Sequence, residues 1–282
     1  MPKTATRTST RPLAIVTGAS SGIGLELAKQ FAEHDFDLVV AAEDPDLTTA
    51  ARALEKLGAH VETVQVDLST YDGVETLWDR IKSEQRPVAA AAINAGVGAS
   101  GEFSTIDLRD ELKVIDLNVT STVHLAKRVV DDMVEQGGGK VLFTSSVAST
   151  MPGPYEAVYA ASKSFIQSFA QALQYELKDR DITVTTLMPG ATDTEFFDRA
   201  GLQDTKLGKG KKDDPALVAK QGFEALMKGK EKKVAGSVKS KAQGSTGRLL
   251  PDKAKAAMHG KKAAPGSATK KVTAKSATKA AK

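Results

Sequence analysis

Tyr159 and Lys163 stand four residues apart at the end of a stretch that runs from Ser146 through Pro152-Gly153-Pro154 to Lys163. On a helix that spacing puts both on one face, a turn apart. A phenol with an ordinary pKa of about 10 is a poor proton shuttle near neutrality and improves as its pKa falls by about two to three. An ammonium about 4 Å away, at an effective dielectric near 20, favours the phenolate by about 4 kcal/mol. The pair therefore predicts an acidified phenol. Ser146, on the far side of the Pro/Gly loop, is placed to hydrogen-bond the oxygen that Tyr159 would protonate. A Tyr and a Lys at this spacing also occur on solvated helices, so the reading depends on what positions them.

Short apolar runs alternate with stretches of helical periodicity along most of the chain. Strand-like runs are Leu13–Thr17, Leu38–Ala42, Val61–Val66, Val88–Ile93, Lys140–Thr144 and Thr183–Met188. Helical patterns lie at Ile23–His34, Leu47–Leu57, Val74–Ser83, Leu108–Val134, Tyr155–Lys178 and Asp214–Lys228. This alternation predicts an α/β fold, a single doubly wound domain with a parallel sheet of about seven strands and helices on both faces. Ligands in such folds bind beyond the carboxyl ends of the strands. The motifs fall at those ends.

The first strand turns into its helix through Thr17-Gly18-Ala19-Ser20-Ser21-Gly22-Ile23-Gly24. Gly18, Gly22 and Gly24 keep that turn tight. Ser20, Ser21 and Ile23 complete a loop whose free N–H groups and helix dipole suit a pyrophosphate. Glu43 follows the second strand, nineteen residues after Gly24, where an acid accepts hydrogen bonds from an adenosine ribose and repels a 2′-phosphate. That favours NAD over NADP, although Glu43 and Asp44 also read as a solvated loop pair and Arg52 is near enough in sequence to face the site. Asp67 with Leu68 is placed for an adenine edge, or Asp67 caps the next helix. Asn94-Ala95-Gly96 closes the fourth strand with small residues. Pro189-Gly190 ends the sixth, and Thr194 beyond it is placed for a nicotinamide carboxamide. Asn118, a poor helix former inside a helical pattern, marks a kink whose freed carbonyl would hold a water on a path to Lys163.

Composition narrows the classes. The chain has 282 residues, 41% of them hydrophobic, and no cysteine. Disulfides and thiolate metal sites are excluded, which suits a reducing cytosol. No apolar run approaches a membrane span, and Met1–Arg11 lacks a secretory apolar segment, so the chain reads as soluble and cytoplasmic, with no metal. From Ala235 onward twelve Lys or Arg face one acid, Asp252. The whole-chain charge of +4 less this +11 leaves −7 for residues 1–234. The organisation expected is a flexible arm at 1–11, the main domain at 12–237, an extension at 238–260 and a disordered Lys/Ala-rich tail at 261–282. Such a tail attracts polyanions loosely, but without interleaved aromatics it predicts no specific nucleic-acid recognition.

Taken together, the motifs resemble the short-chain dehydrogenase/reductase family over roughly Pro12 to Ser237. The matches are Thr17–Gly24, Asn94-Ala95-Gly96, Asn118, Ser146, Tyr159 with Lys163, and Pro189-Gly190 with Thr194. Ile93 departs from the family, which has Asn there. The resemblance implies a nicotinamide dinucleotide, NAD or NADP, and a catalytic tetrad of Asn118, Ser146, Tyr159 and Lys163. It implies hydride transfer between carbonyl and alcohol with Tyr159 as acid or base, Lys163 also holding the nicotinamide ribose, and a homodimer or homotetramer. Substrate contacts are expected from Val97–Phe103, Val147–Tyr155 and Thr194–Leu207, whose apolar residues suit a partly hydrophobic small molecule. Two other classes remain compatible with the residues: a nucleotide-binding regulatory scaffold without turnover, and polyanion binding through the tail.

Overall fold

Five consecutive buried residues, Leu13–Thr17, form strand β1. With no face left to solvent, such a strand must be covered on both sides. The computed structural model describes residues 10–237, 240 and 251–268. It places β1 beside β2 (Asp37–Ala42) and β4 (Val88–Ile93) in a seven-stranded parallel sheet of order β3-β2-β1-β4-β5-β6-β7. The others are β3 (Val61–Gln65), β5 (Gly139–Thr144), β6 (Ile182–Pro189) and β7 (Lys232–Ala235). Helices α1 (Gly22–Glu33), α2 (Leu47–Glu55) and α8 (Pro215–Met227) cover one face. On the other lie α3 (Tyr71–Ser83), α5 (Ser121–Gln136) and α6 (Ala157–Glu176). Strand order reverses between β1 and β4, which opens a crevice at their carboxyl ends.

The single long helix expected over Leu108–Val134 is instead three pieces. Helix α4 (Leu108–Ile115) runs into a π-helical turn at Asp116–Thr120, and α5 follows. The expected kink at Asn118 is therefore this one-turn widening, which leaves Asn118 fully buried. Helix α6 starts at Ala157 rather than Tyr155, because Tyr155 has a φ of 69° and cannot continue a right-handed turn. A short helix α7 (Phe196–Arg199) follows β6.

A tail without structure from residue 261 is corrected for 261–268. Helix α9 (Asp252–Ala263) crosses that boundary, and Ala263 is buried. Composition misled here because hydrogen bonds tie the end of α9 and the residues after it to 204–207. Leu207 N–H donates to the Lys262 carbonyl at 3.0 Å, Lys206 N–H to Ser267 Oγ at 2.9 Å, and Ala268 N–H to the Asp204 carbonyl at 3.1 Å. The arm at 1–9 and the stretch 269–282 lie outside the described residues. No helix among the described residues is long and apolar enough to cross a membrane. Those residues also hold no cluster of three or more His, Asp or Glu suited to a metal.

Candidate active site

The turn after β1 is built for close approach. Gly18 and Gly22 have φ of 67° and 55°, a region open to glycine at little cost. A methyl at Gly24 would collide with the Gly18 carbonyl and come within 2.6 Å of Asn94 Nδ2. Asn94 is the tie that sets this distance. Its amide donates to the Thr17 carbonyl at 3.0 Å and accepts from Thr144 Oγ1 at 3.0 Å, joining β1, β4 and β5. Ile93, where the family has Asn, is buried in the core.

Together these residues floor a cleft of about 230 Å³ at the carboxyl end of the sheet. Gly18, Ser20, Ser21, Gly22, Ile23 and Gly24 line one end. Glu43, Asp67 and Leu68 line it where β2 and β3 finish, and Asn94, Ala95, Gly96, Pro189 and Thr194 lie further along. Gly190 does not line it; a β-carbon there would collide with Ser240. Asp67 accepts from Ser69 N–H at 2.8 Å and Ser69 Oγ at 2.7 Å, as a turn ahead of α3. Burial works to raise its pKa, but these bonds and the Lys113 charge prevail and hold it below the ordinary value. Arg52 is not among the lining residues; the guanidinium there belongs to Arg199 of α7. Arg199 bridges Asp44 at 2.8 Å and Glu195 at 2.6 Å, spanning from the end of β2 to α7. Glu43 stands 3.4 Å from Lys113. Nothing local in the sequence marks Arg199 or Lys113.

At the other end of the cleft sit Tyr159 and Lys163. Lys163 is 4% exposed, its Nζ donates to the Thr144 carbonyl at 3.1 Å, and it lies 5.8 Å from the centroid of the Tyr159 ring. Burial lowers its pKa to about 8. Asn118 lies behind the cleft wall. It donates from Nδ2 to the Val97 carbonyl and accepts at Oδ1 from Val97 N–H, both at 2.9 Å. Gly96 fills the gap between Asn118 and Lys163: a β-carbon there would sit 3.0 Å from Asn118 Oδ1 and 3.1 Å from Lys163 Nζ.

The acidified phenol is not what this chain shows. Burial around the hydroxyl pushes the Tyr159 pKa up, the Glu156 charge pushes it further, and the hydrogen bond from Ser146 offsets only part. Lys163 donates a hydrogen bond to a main-chain carbonyl, and the loss of solvation outweighs what lowers the phenol's pKa.

A second cavity of about 120 Å³ opens beyond Tyr159. Val147, Ala148, Met151, Phe196, Phe197 and Leu207 line it from two of the loops expected to touch substrate, together with Ser146. The third expected loop does not reach it: Val97 and Gly98 face the cleft, and Phe103 is 67% exposed. Its outer side is formed by Met258, His259 and neighbours on α9, which the sequence reading missed altogether.

The profile of the short chain dehydrogenases matches residues 12–204. A short chain dehydrogenase of Pseudocercospora fijiensis is 32% identical over 188 residues, 65% of this chain, and the match spans 60% of that protein's length. The structure of a short-chain dehydrogenase from Sphingobium yanoikuyae in complex with NADPH superposes with a TM-score of 0.73 at 29% identity, covering 79% of this chain and 87% of that one. A short chain dehydrogenase/reductase from Burkholderia phymatum in complex with NAD also gives 0.73, at 25% identity over 79% and 88%. With the profile spanning every strand from β1 to β6, Ser146 and the helix that carries Tyr159 and Lys163, the chain belongs to the short-chain dehydrogenase/reductase family.

Proposed function

We propose that this enzyme interconverts a carbonyl and an alcohol, with Tyr159 as the acid or base. One observation carries the reading: Tyr159 lines both cavities, with Lys163 on the side of the long cleft and Ser146 on the side of the apolar pocket. A group at that junction touches whatever passes between two bound molecules. The cleft fits a nicotinamide dinucleotide. Its turn packs too closely for β-carbons at Gly18, Gly22 and Gly24, the first turn of α1 offers N–H groups, and carboxylates stand at the ribose end. The dinucleotide supplies the hydride acceptor or donor.

The chain's own residues do the rest. Ser146 holds the substrate oxygen beside the Tyr159 hydroxyl, which gives its proton as the carbonyl is reduced and takes one as the alcohol is oxidised. Lys163 is mostly charged at neutral pH and stabilises the phenolate left behind; it also holds the nicotinamide ribose. Asn118 fixes the Val97 backbone and keeps a proton path open behind Gly96. Ser20–Gly24 hold the pyrophosphate, Asp67 and Leu68 the adenine, and Asn94–Gly96 with Pro189 the middle of the dinucleotide, while Thr194 meets the carboxamide. Glu43 disfavours a 2′-phosphate, so NAD is preferred.

The test is ketone reduction followed by nicotinamide absorbance with NADH and NADPH. Tyr159→Phe is expected to cut kcat about a thousandfold while the cofactor Kd stays near that of the wild type. Retained turnover sinks the assignment, and a higher kcat/KM with NADPH overturns the cofactor preference.

A further inference from the structure

We propose that α9, which lies beyond the part of the chain matched by the family, is the outer wall of the substrate pocket and that Met258 sets which carbonyl compounds enter. This rests on the reading that the pocket beside Ser146 and Tyr159 takes the substrate.

The family match ends at residue 204, and α9 begins nearly fifty residues later at Asp252. Yet α9 closes the same cavity that Ser146 and Tyr159 open. Its anchor is His259, whose Nε2 lies 2.9 Å from Glu156 Oε2; the two side chains are 9% and 4% exposed. Leaving a buried carboxylate without its partner is costly, so the pair fixes the register of α9 on the start of α6. Gly260 faces Pro154 and Tyr155 at contact distance: a β-carbon there would lie 3.4 Å from Pro154 and 3.7 Å from Tyr155, an ordinary fit. The bonds from residues 204–207 to residues 262–268 hold the far end. The C-terminal half of the wall is thus tied at several points.

The pocket as a whole is mainly apolar; of the α9 residues that line it, Met258 is the apolar one, beside Lys255, His259 and Lys262. Met258 is 53% exposed at the pocket mouth, opposite Val147, Met151, Phe196 and Leu207. Glu156 is occupied by His259, and Lys255 by Asp252 at 3.1 Å. The class that fits is a compact ketone or secondary alcohol whose remaining substituent is apolar, and a long acyl chain would meet α9. A flexible thioether is a wall that yields by rotamer, so its replacement changes size discrimination rather than the fold.

The experiment uses the full chain with 2-butanone and 1-phenyl-1-propanone. Met258→Ala is expected to raise kcat/KM for the phenyl ketone relative to butanone by about tenfold, and Met258→Trp to lower it by a similar factor, the discrimination a few methylenes provide. Cofactor Kd and melting temperature should not move. A ratio unchanged in both variants overturns the proposal.

A second arm needs no turnover. The chain has no cysteine, so Met258→Cys and Met227→Cys each introduce a single thiol, the latter on α8 away from the pocket. 2-Bromoacetophenone alkylates such a thiolate by forming a sulfur–carbon bond as bromide leaves. Labelling at position 258 should saturate with reagent and be slowed by acetophenone, while labelling at 227 should rise linearly. Linear, unprotected labelling at 258 overturns the wall. If neither ketone is reduced by the wild-type chain while labelling at 258 saturates, the catalytic reading falls and the pocket assignment stands.

Discussion

Lys163 carries the conflict that defines the site: a charge 4% exposed, with a main-chain carbonyl as its hydrogen-bond partner. Its pKa falls from the ordinary 10.5 to about 8 because burial penalises the ammonium. Between those two values the unfolded chain holds a proton that the folded chain has released, so stability rises with pH across that window; below about 8 both states are protonated and the burial cost is complete. Lys163→Met lacks this titration. The melting temperature of the wild type minus that of Lys163→Met is therefore expected to climb from pH 8 towards 10, read by calorimetry of the cofactor-free chain. A flat difference would show that the amine is not desolvated. Tyr159 opposes this only above its ordinary pKa of 10, where the folded chain keeps the phenol proton longer.

Among the elements, those with a local chemical signature were legible in the sequence. Thr17–Gly24 announces its turn because each glycine answers a local steric demand, and Tyr159 and Lys163 share a helical face by spacing alone. Gly24 shows how strict the demand is, since α1 packs onto the Gly18 carbonyl with no room for a methyl. Gly24→Ala is expected to lower the melting temperature by several degrees, as about 2 kcal/mol of overpacking would, and to weaken dinucleotide affinity. A variant as stable as the wild type would refute the tight packing of α1 on β1. Other elements left no such signature. A π-helical turn keeps nearly the same apolar periodicity as the helix around it, so Asn118 hinted at a kink but not its form. Strand β7 is four residues at the sheet edge with two lysines, and α9 hides in a Lys/Ala-rich composition. Arg199 and Met258 reach their cavities through tertiary packing, which spacing along the chain does not report.

For the whole molecule, the parallel sheet and the coverage of both faces followed from the alternation of elements, and assembly is the next question. Leu108, Leu112 and Ile115 on α4, with Phe165 and Tyr175 on α6, are 40–73% exposed. We infer that these helices meet their counterparts in a homodimer or homotetramer, as a monomer gains little from so many solvated large side chains on two elements. Leu112→Asp combined with Phe165→Asp is expected to yield a folded monomer by light scattering, with unchanged helical content. A wild-type chain already monomeric at micromolar concentration would refute the inference.

The stitching of residues 262–268 to 204–207 separates two jobs along the chain. Proton transfer is assigned to the loops and helix of the sheet domain, whereas the pocket's outer boundary comes from a later segment that adds no strand to the sheet. Substrate range then becomes an exchangeable property. Sequence drift, or a grafted helix, between Asp252 and Ala263 can retune what the enzyme accepts while the residues that move the proton stay untouched.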